Sequence, residues 1–187
     1  MTDDLLARLQ RLEDREQIRE LIARYGYVVD SRDIDGIPLL FTPDGRFRSR
    51  DGVINATGRP AIVTAFHGRY SALTFSLHWT HDAIIELDPA DPDRATGIVG
   101  SHAEVCRNGV TMVTGLRYDD IYRRQEGRWR FADRLLSFVY YVPVEQYAAA
   151  LGGTDRMRAY DTPRPADLPE PLPQWQDYAR RFPPAGG

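Results

Sequence analysis

The order of helix and strand signals along the chain is the feature that most restricts its fold. Helical periodicity dominates residues 3–70, whereas β-rich runs separated by tight turns fill residues 73–142. Asn108-Gly109 and Glu126-Gly127 are dipeptides typical of hairpin turns between neighbouring antiparallel strands. Helices followed by an antiparallel meander are the pattern of an α+β domain. The sequence therefore predicts one curved antiparallel sheet wrapped around a long N-terminal helix and two shorter helices.

The long helix is predicted from Asp3 to about Arg32, because apolar residues recur at spacings of three and four. The predicted buried stripe consists of Leu5, Leu9, Leu12, Ile18, Leu21, Ile22 and Tyr25. Asp33 can cap a short second helix that ends at Leu40, and Arg59-Pro60 opens a third helix that runs to about Tyr70.

The strand signals lie at residues 46–50, 73–87, 95–105, 110–124 and 128–142. From Gly152 onward the chain is rich in proline, which predicts an extended arm rather than a second folded unit. We therefore divide the chain into a cone domain, residues 1–151, and an arm, residues 152–187. Trp175, Tyr178 and Phe182 are the predicted anchors of the arm, either on the body or on a neighbouring subunit.

Composition excludes several classes of function. The formal net charge is −3, which gives no electrostatic reason to expect nucleic acid or a membrane surface as partner. The chain contains no lysine, so Schiff-base chemistry and a P-loop lysine are excluded. Cys106 is the single cysteine, and no third side chain is spaced to complete a metal site with the histidines. We expect a cytoplasmic protein without a metal or a cofactor.

The candidate base is a histidine, because imidazole titrates nearest to neutral pH. His78 lies in a predicted strand, on the same face as Ser76 and Thr80. Asp30 lies in the last turn of the long helix and borders the buried stripe, four residues after Gly26. A carboxylate there can bind one imidazole nitrogen and leave the other one basic. The alternative is that His78 is a packed residue and Asp30 a solvated acid or a cap.

Three segments of the sequence resemble the SnoaL-like branch of the nuclear transport factor-two-like superfamily. They are Ile18–Gly45, Leu77–Leu87 and Tyr118–Arg134, and the resemblance extends over about residues 5–142. It implies a cystatin-like roll, a cone of one sheet and three helices, in a homodimer or homotrimer. Within the superfamily the chain looks most like the scytalone dehydratase and hexachlorocyclohexane dehydrochlorinase group.

This resemblance implies site residues. The dyad shared by the group falls on Asp30 and His78, and the cavity arginine of the dehydrochlorinases falls on Arg134. Their lysine falls on Tyr25, and a tyrosine of the dehydratases falls on Val29, so neither substrate carries over.

Arg134 alternates with Ala132 and Leu136, so it either stabilises an anion in the pocket or pairs with Asp120 or Asp133. Tyr25 either donates a hydrogen bond to substrate or belongs to the core. The expected pocket lining consists of Ser76, Thr80, His102, Tyr118, Leu136 and Phe138, with His102 alternatively on the sheet surface.

These residues favour a cofactor-independent lyase or isomerase that acts on a small, largely apolar cyclic or polyketide-like substrate. The competing function is a non-catalytic binding or assembly module that resembles the small subunit of ring-hydroxylating dioxygenases. Epoxide hydrolysis is a third alternative, which requires several carboxylates and amides around a water, and only Asp30 is placed for that. An open cavity at an Asp30–His78 pair favours the enzyme, whereas a filled cone favours the module.

Overall fold

The computed structural model describes residues 2–183, with side chains from residue 4 onward, so the last four residues of the predicted arm lie outside it. In chain order the elements are α1 (Thr2–Asp30), a 3-10 turn (Ile37–Leu40), β1 (Phe41–Ser49), β2 (Asn55–Thr57), α2 (Arg59–Ala72), β3 (Leu73–Leu87), β4 (Arg94–Arg107), β5 (Val110–Gln125), β6 (Arg128–Pro143), a second 3-10 turn (Val144–Gln146), α3 (Tyr147–Ala150) and α4 (Pro173–Arg181).

The six strands form one mixed sheet in the order β2-β1-β6-β5-β4-β3. The four long strands β3 to β6 pair antiparallel, as predicted from the helix-then-meander order. The sequence did not indicate the parallel pairing of β1 with β6, which extends the sheet beyond the meander. The long helix and the curved sheet are thus as predicted, and the fold class is confirmed.

The C-terminal half of α1 packs on the concave face of the sheet, through Ile18, Ile22, Tyr25 and Val29 at helical spacing. Asp14 fixes this half to the hairpin between β5 and β6, since its carboxylate accepts hydrogen bonds from Arg124 Nη1 at 2.7 Å and Trp129 Nε1 at 3.1 Å. Burial alone would raise the pKa of Asp14, but these hydrogen bonds hold it below its ordinary value.

The prediction that Leu5, Leu9 and Leu12 are buried is wrong, because all three side chains are exposed. Helix α1 has 29 residues and is therefore roughly 43 Å long, whereas the part that meets the sheet begins only at Asp14. The regular leucine spacing continues past the edge of the core, and helical periodicity alone does not reveal where a helix leaves its sheet.

The segment after α3 folds back along β6. Met157 forms bridges with Tyr141 and Arg164, and the Arg156 side chain donates to the carbonyl oxygens of Val139 and Leu168. The side chains that bury this segment are Met157, Ala166 and Leu168. The predicted anchors Trp175, Tyr178 and Phe182 lie exposed on or beside α4, a helix that the proline-rich composition did not predict. They therefore do not anchor the arm on the body, and their contact with a neighbouring subunit stays a prediction.

Among residues 2–183, the helices are all too short or too polar to span a bilayer.

Candidate functional site

Asp30 and His78 form a direct pair on the concave side of the sheet. The Nδ1 atom of His78 lies 2.6 Å from Asp30 Oδ1, and the His78 backbone N–H donates to Asp30 Oδ2 at 2.6 Å. Ser76 Oγ donates to the same carboxylate at 3.0 Å. The side chains of His78 and Asp30 are 6% and 16% exposed. Three donors from one strand therefore fix the orientation of a nearly buried carboxylate.

This arrangement selects a tautomer of His78. Because the carboxylate accepts at Nδ1, the proton of a neutral imidazole belongs on Nδ1, and the lone pair then lies on Nε2. The Nε2 atom has no hydrogen-bond partner among the described side chains. The pair can therefore act as an oriented base, with Asp30 stabilising the imidazolium that forms after proton transfer.

Gly26 lies where α1 passes over His78. A Cβ atom built on Gly26 would stand 3.7 Å from His78 Cβ and 3.7 Å from the His78 carbonyl oxygen, which is ordinary van der Waals contact. The helix therefore needs a small residue at this position, and alanine would fit.

We expect Gly26→Ala to raise the free energy of unfolding by about 0.5 to 1 kcal/mol, since alanine is the better helix former and restricts the unfolded chain. Urea denaturation measures the change. Gly68→Ala in α2 is the matched control, because nothing lies within 4 Å of a Cβ atom there. A gain at Gly68 together with a loss at Gly26 would show that the contact with His78 does not tolerate a methyl group.

Arg134 is fully buried and pairs with Asp120, which was one of the two alternatives for this residue. Its Nε and Nη2 atoms donate to the two carboxylate oxygens at 3.0 and 2.9 Å. Its guanidinium carbon lies 4.0 to 4.2 Å from the ring centroids of Tyr25, Tyr118 and Phe131. Only Nη1 lacks a hydrogen-bond partner. Most of the guanidinium group of Arg134 is thus engaged by Asp120 and by the aromatic rings of the core.

Tyr25 and Tyr118 belong to the aromatic core around Arg134. Their ring centroids are 5.9 Å apart in an edge-to-face arrangement, and both residues are nearly inaccessible to solvent. Burial raises the pKa of both phenols above their ordinary value, although the positive charge of Arg134 opposes the shift. Both side chains therefore remain protonated near neutral pH and can only donate or accept hydrogen bonds.

The strand register shows which of the predicted pocket residues lie on the same face of the sheet as His78. On β3, Ser76 and Thr80 share it, as predicted. Tyr118, Leu136 and Phe138 also lie on the concave side and are buried. His102 does not share this face, so its placement in the pocket is wrong, and the alternative placement on the sheet surface is the one the structure has. It pairs opposite Trp79 on the convex face, where its Nδ1 atom lies 2.6 Å from His81 Nε2.

Among the cavities on the described surface are three with volumes of about 620, 650 and 450 Å³. The first lies on the convex face beside His81 and His102, the second between α1 and the β5–β6 hairpin, and the third beside Thr80 and Ala83. None of the three includes Asp30 or His78 in its lining. Aromatic rings fill much of the cone interior, so the expected open cavity at the dyad is not among these three.

Sequence reasoning missed Arg69, an arginine on the inner side of α2. Its guanidinium carbon lies 6.0 Å from the ring centroids of both Phe47 and Phe66. The available signal was its spacing, since Arg69 follows the buried residues Ile62 and Phe66 by seven and three positions. The sequence therefore places Arg69 at the border of the apolar stripe of α2.

Within residues 2–183 no cluster of three histidine, cysteine, aspartate or glutamate side chains is arranged to hold a metal ion.

Comparison with known families gives one match, in which the model of the SnoaL-like domain matches residues 10–135. No protein with a curated description matches the sequence.

Several solved structures share the fold. An NTF2-like protein with a cystatin-like fold from Novosphingobium aromaticivorans is 33% identical, with a TM-score of 0.63 over 74% of this chain and 90% of the other. A protein from the same organism, provisionally assigned as a scytalone dehydratase, is 19% identical, with a TM-score of 0.66 over 89% and 96%. Hexachlorocyclohexane dehydrochlorinase LinA-type3 from Novosphingobium barchaimii LL02 is 17% identical, with a TM-score of 0.66 over 73% and 93%.

Proposed function

The chain belongs to the SnoaL-like domain family, and on that premise we propose that it is a cofactor-independent lyase or isomerase that uses His78 as a general base. The observation that carries the proposal is the contact of 2.6 Å between His78 Nδ1 and Asp30 Oδ1. Structural neighbours that are named as a dehydratase and a dehydrochlorinase support the same class of reaction. The proposed substrate is a small, largely apolar cyclic or polyketide-like molecule.

The proposed reaction begins with proton transfer from carbon to His78. Nε2 takes a proton from a carbon next to an activating carbonyl or a leaving group, and the electron pair of the C–H bond forms a new double bond. In an elimination the leaving group departs with its own bonding pair. In an isomerisation the proton returns from His78 to a different carbon. Asp30 stabilises the imidazolium in between, and a nearly water-free site strengthens that interaction.

The experiment that tests this function is a search for turnover. Purified protein is incubated with small cyclic hydroxy-ketones and polyketide-like aromatics, and loss of water or movement of a double bond is followed by absorbance and mass spectrometry. Turnover that requires both Asp30 and His78 supports the proposal. Turnover that persists in full without His78 contradicts it.

A second candidate function is a non-catalytic binding or assembly module. It is favoured by the lining of the three cavities, since none of them includes Asp30 or His78. In that case the Asp30–His78 contact is a structural hydrogen bond that joins α1 to β3. A module of the dioxygenase small-subunit type requires a large iron-containing partner chain. A non-catalytic module predicts that replacement of Asp30 or His78 lowers the stability of the protein and that the screen finds no turnover.

We also propose that the chain forms a homodimer or homotrimer. We expected the strand Ser137–Val142 to supply excess apolar surface, but Phe138, Tyr141 and Val142 are buried, partly under the segment around Met157. The exposed apolar side chains lie instead on the convex face, at Phe75, Trp79, Ile84 and Ile98. Exposed apolar surface of this kind is typical of subunit contacts.

We expect sedimentation velocity to show that the wild-type protein is an oligomer at micromolar concentration. Ile98→Glu should shift the protein towards monomer, because the glutamate charge would be buried in the contact between subunits. Leu39→Glu is the matched control, since Leu39 is an exposed apolar residue away from the convex face. A wild-type protein that is monomeric at this concentration would contradict the expectation.

A further inference from the structure

Arg69 brings a positive charge to the inner side of α2. Phe66 is fully buried, and Arg69 follows it by three residues, so its side chain borders the same face of the helix. The guanidinium carbon lies 6.0 Å from the ring centroids of Phe47 and Phe66, which stack 5.1 Å apart with an interplanar angle of 13°. The charge therefore faces aromatic core and lies on the inner side of the helix.

The charge of Arg69 has no partner of opposite sign. Among the described side chains, no carboxylate lies within ion-pair distance of it, whereas Arg134 pairs with Asp120 and Arg48 with Asp133. Burial raises the pKa values of four tyrosines, and the positive charge of Arg69 opposes each of these shifts. The four are Tyr25, Tyr70, Tyr118 and Tyr141.

Arg69 lies at the same end of the cone as the dyad. The adjacent Tyr70 donates its hydroxyl to the carbonyl oxygen of Val29 at 2.9 Å, and Val29 directly precedes Asp30. The last turns of α1 and α2 are therefore in contact. Strand β3 then leaves α2 at Leu73 and reaches His78 five residues later. Arg69 and His78 are thus carried by elements that meet at this end of the cone.

We infer that Arg69 is the receptor for a carboxylate on the substrate, so that the substrate class is a cyclic or aromatic carboxylic acid. Its guanidinium fork matches the two oxygens of a carboxylate. The placement of the reacting carbon at His78 rests on the proposed function, whereas the binding of the carboxylate does not.

The test is calorimetric titration with benzoate and 2-naphthoate, each compared with its neutral amide. Wild-type protein should bind at least one acid about tenfold or more tightly than its amide, the difference expected for a charge-assisted hydrogen bond. Arg69→Gln should remove this preference, and Arg69→Lys should keep part of it. Arg24→Gln is the matched control, because Arg24 is exposed and pairs only with Glu20 in its own helix. Circular dichroism confirms that each variant is folded.

Three results would overturn the inference: neither acid binds to wild-type protein, acid and amide bind equally well, or Arg69→Gln keeps the full preference while folded. The proposed function fails in a different way. If the carboxylate preference depends on Arg69 but His78→Ala retains full turnover, the receptor stands and the general base is wrong. If Asp30→Asn abolishes turnover but no carboxylate preference exists, only the assignment of Arg69 is wrong.

Discussion

Asp30→Asn is expected to reduce turnover by about 100-fold or more while the fold is retained, because a positioned general base contributes a factor of this size. The variant keeps the shape of the side chain but removes the negative charge that orients Nδ1–H and stabilises the imidazolium. An asparagine amide in the same place can also present its NH2 group to Nδ1 and so favour the wrong tautomer. His78→Ala should lose activity to a similar extent. Steady-state kinetics on a substrate from the screen measures both losses.

The double variant separates a working pair from two independent residues. If Asp30 acts only through His78, combining Asp30→Asn with His78→Ala should be little worse than either change alone. His67→Ala is the matched control, since His67 is an exposed histidine on α2 and should leave turnover unchanged. Full activity of His78→Ala would eliminate the mechanism.

A measurement without substrate tests the same geometry. Nitrogen NMR distinguishes the two tautomers of a neutral histidine, and the contact with Asp30 predicts that His78 carries its proton on Nδ1. The Asp30→Asn variant should lose this preference.

Ser76→Ala removes one of the three donors to the carboxylate and should lower activity only several-fold, since a single hydrogen bond contributes about 1 kcal/mol.

The contact between Asp30 and His78 could be predicted from the sequence because the family resemblance pointed to both residues and local periodicity was compatible with their meeting. Strand alternation places His78 on the same face as Ser76, and helical spacing places Asp30 beside the buried stripe of α1. The same rules left His102 undecided between the pocket and the sheet surface, because they do not show which face of β4 meets the core. Alternation gives two faces but does not say which one is inside.

Other features depend on long-range packing that no local pattern encodes. The leucines at the start of α1 keep a regular spacing although the sheet does not extend beneath them. The partner of Arg134 depends on the register of β5 and β6, in which Asp120 stands directly opposite it and Asp133 points to the other face. The spacing of Arg69 after Ile62 and Phe66 marks the inner side of α2, but its contacts with the rings of Phe47 and Phe66 form only in the folded chain.

Asp120→Asn is expected to destabilise the protein by about 3 to 5 kcal/mol, because it leaves the charge of Arg134 buried without a counter-ion. Both side chains have no exposed area, and Asp120 also accepts the hydroxyl of Tyr122 at 2.8 Å. Burial alone would lower the pKa of Arg134, but the Asp120 carboxylate raises it above its ordinary value, so the arginine stays charged. For a chain of this size the melting temperature should fall by roughly 10 °C.

Urea denaturation measures this loss, and Glu20→Gln provides the matched control. Glu20 pairs with Arg24 on the exposed surface of α1, so its replacement should change stability by less than about 1 kcal/mol. Replacing both members of the buried pair, as Arg134→Met with Asp120→Leu, should be less damaging than Asp120→Asn alone, because no unpaired charge remains. A near-normal stability of Asp120→Asn would instead mean that Arg134 is free to bind an anion in the cone, as the resemblance to the dehydrochlorinases implied.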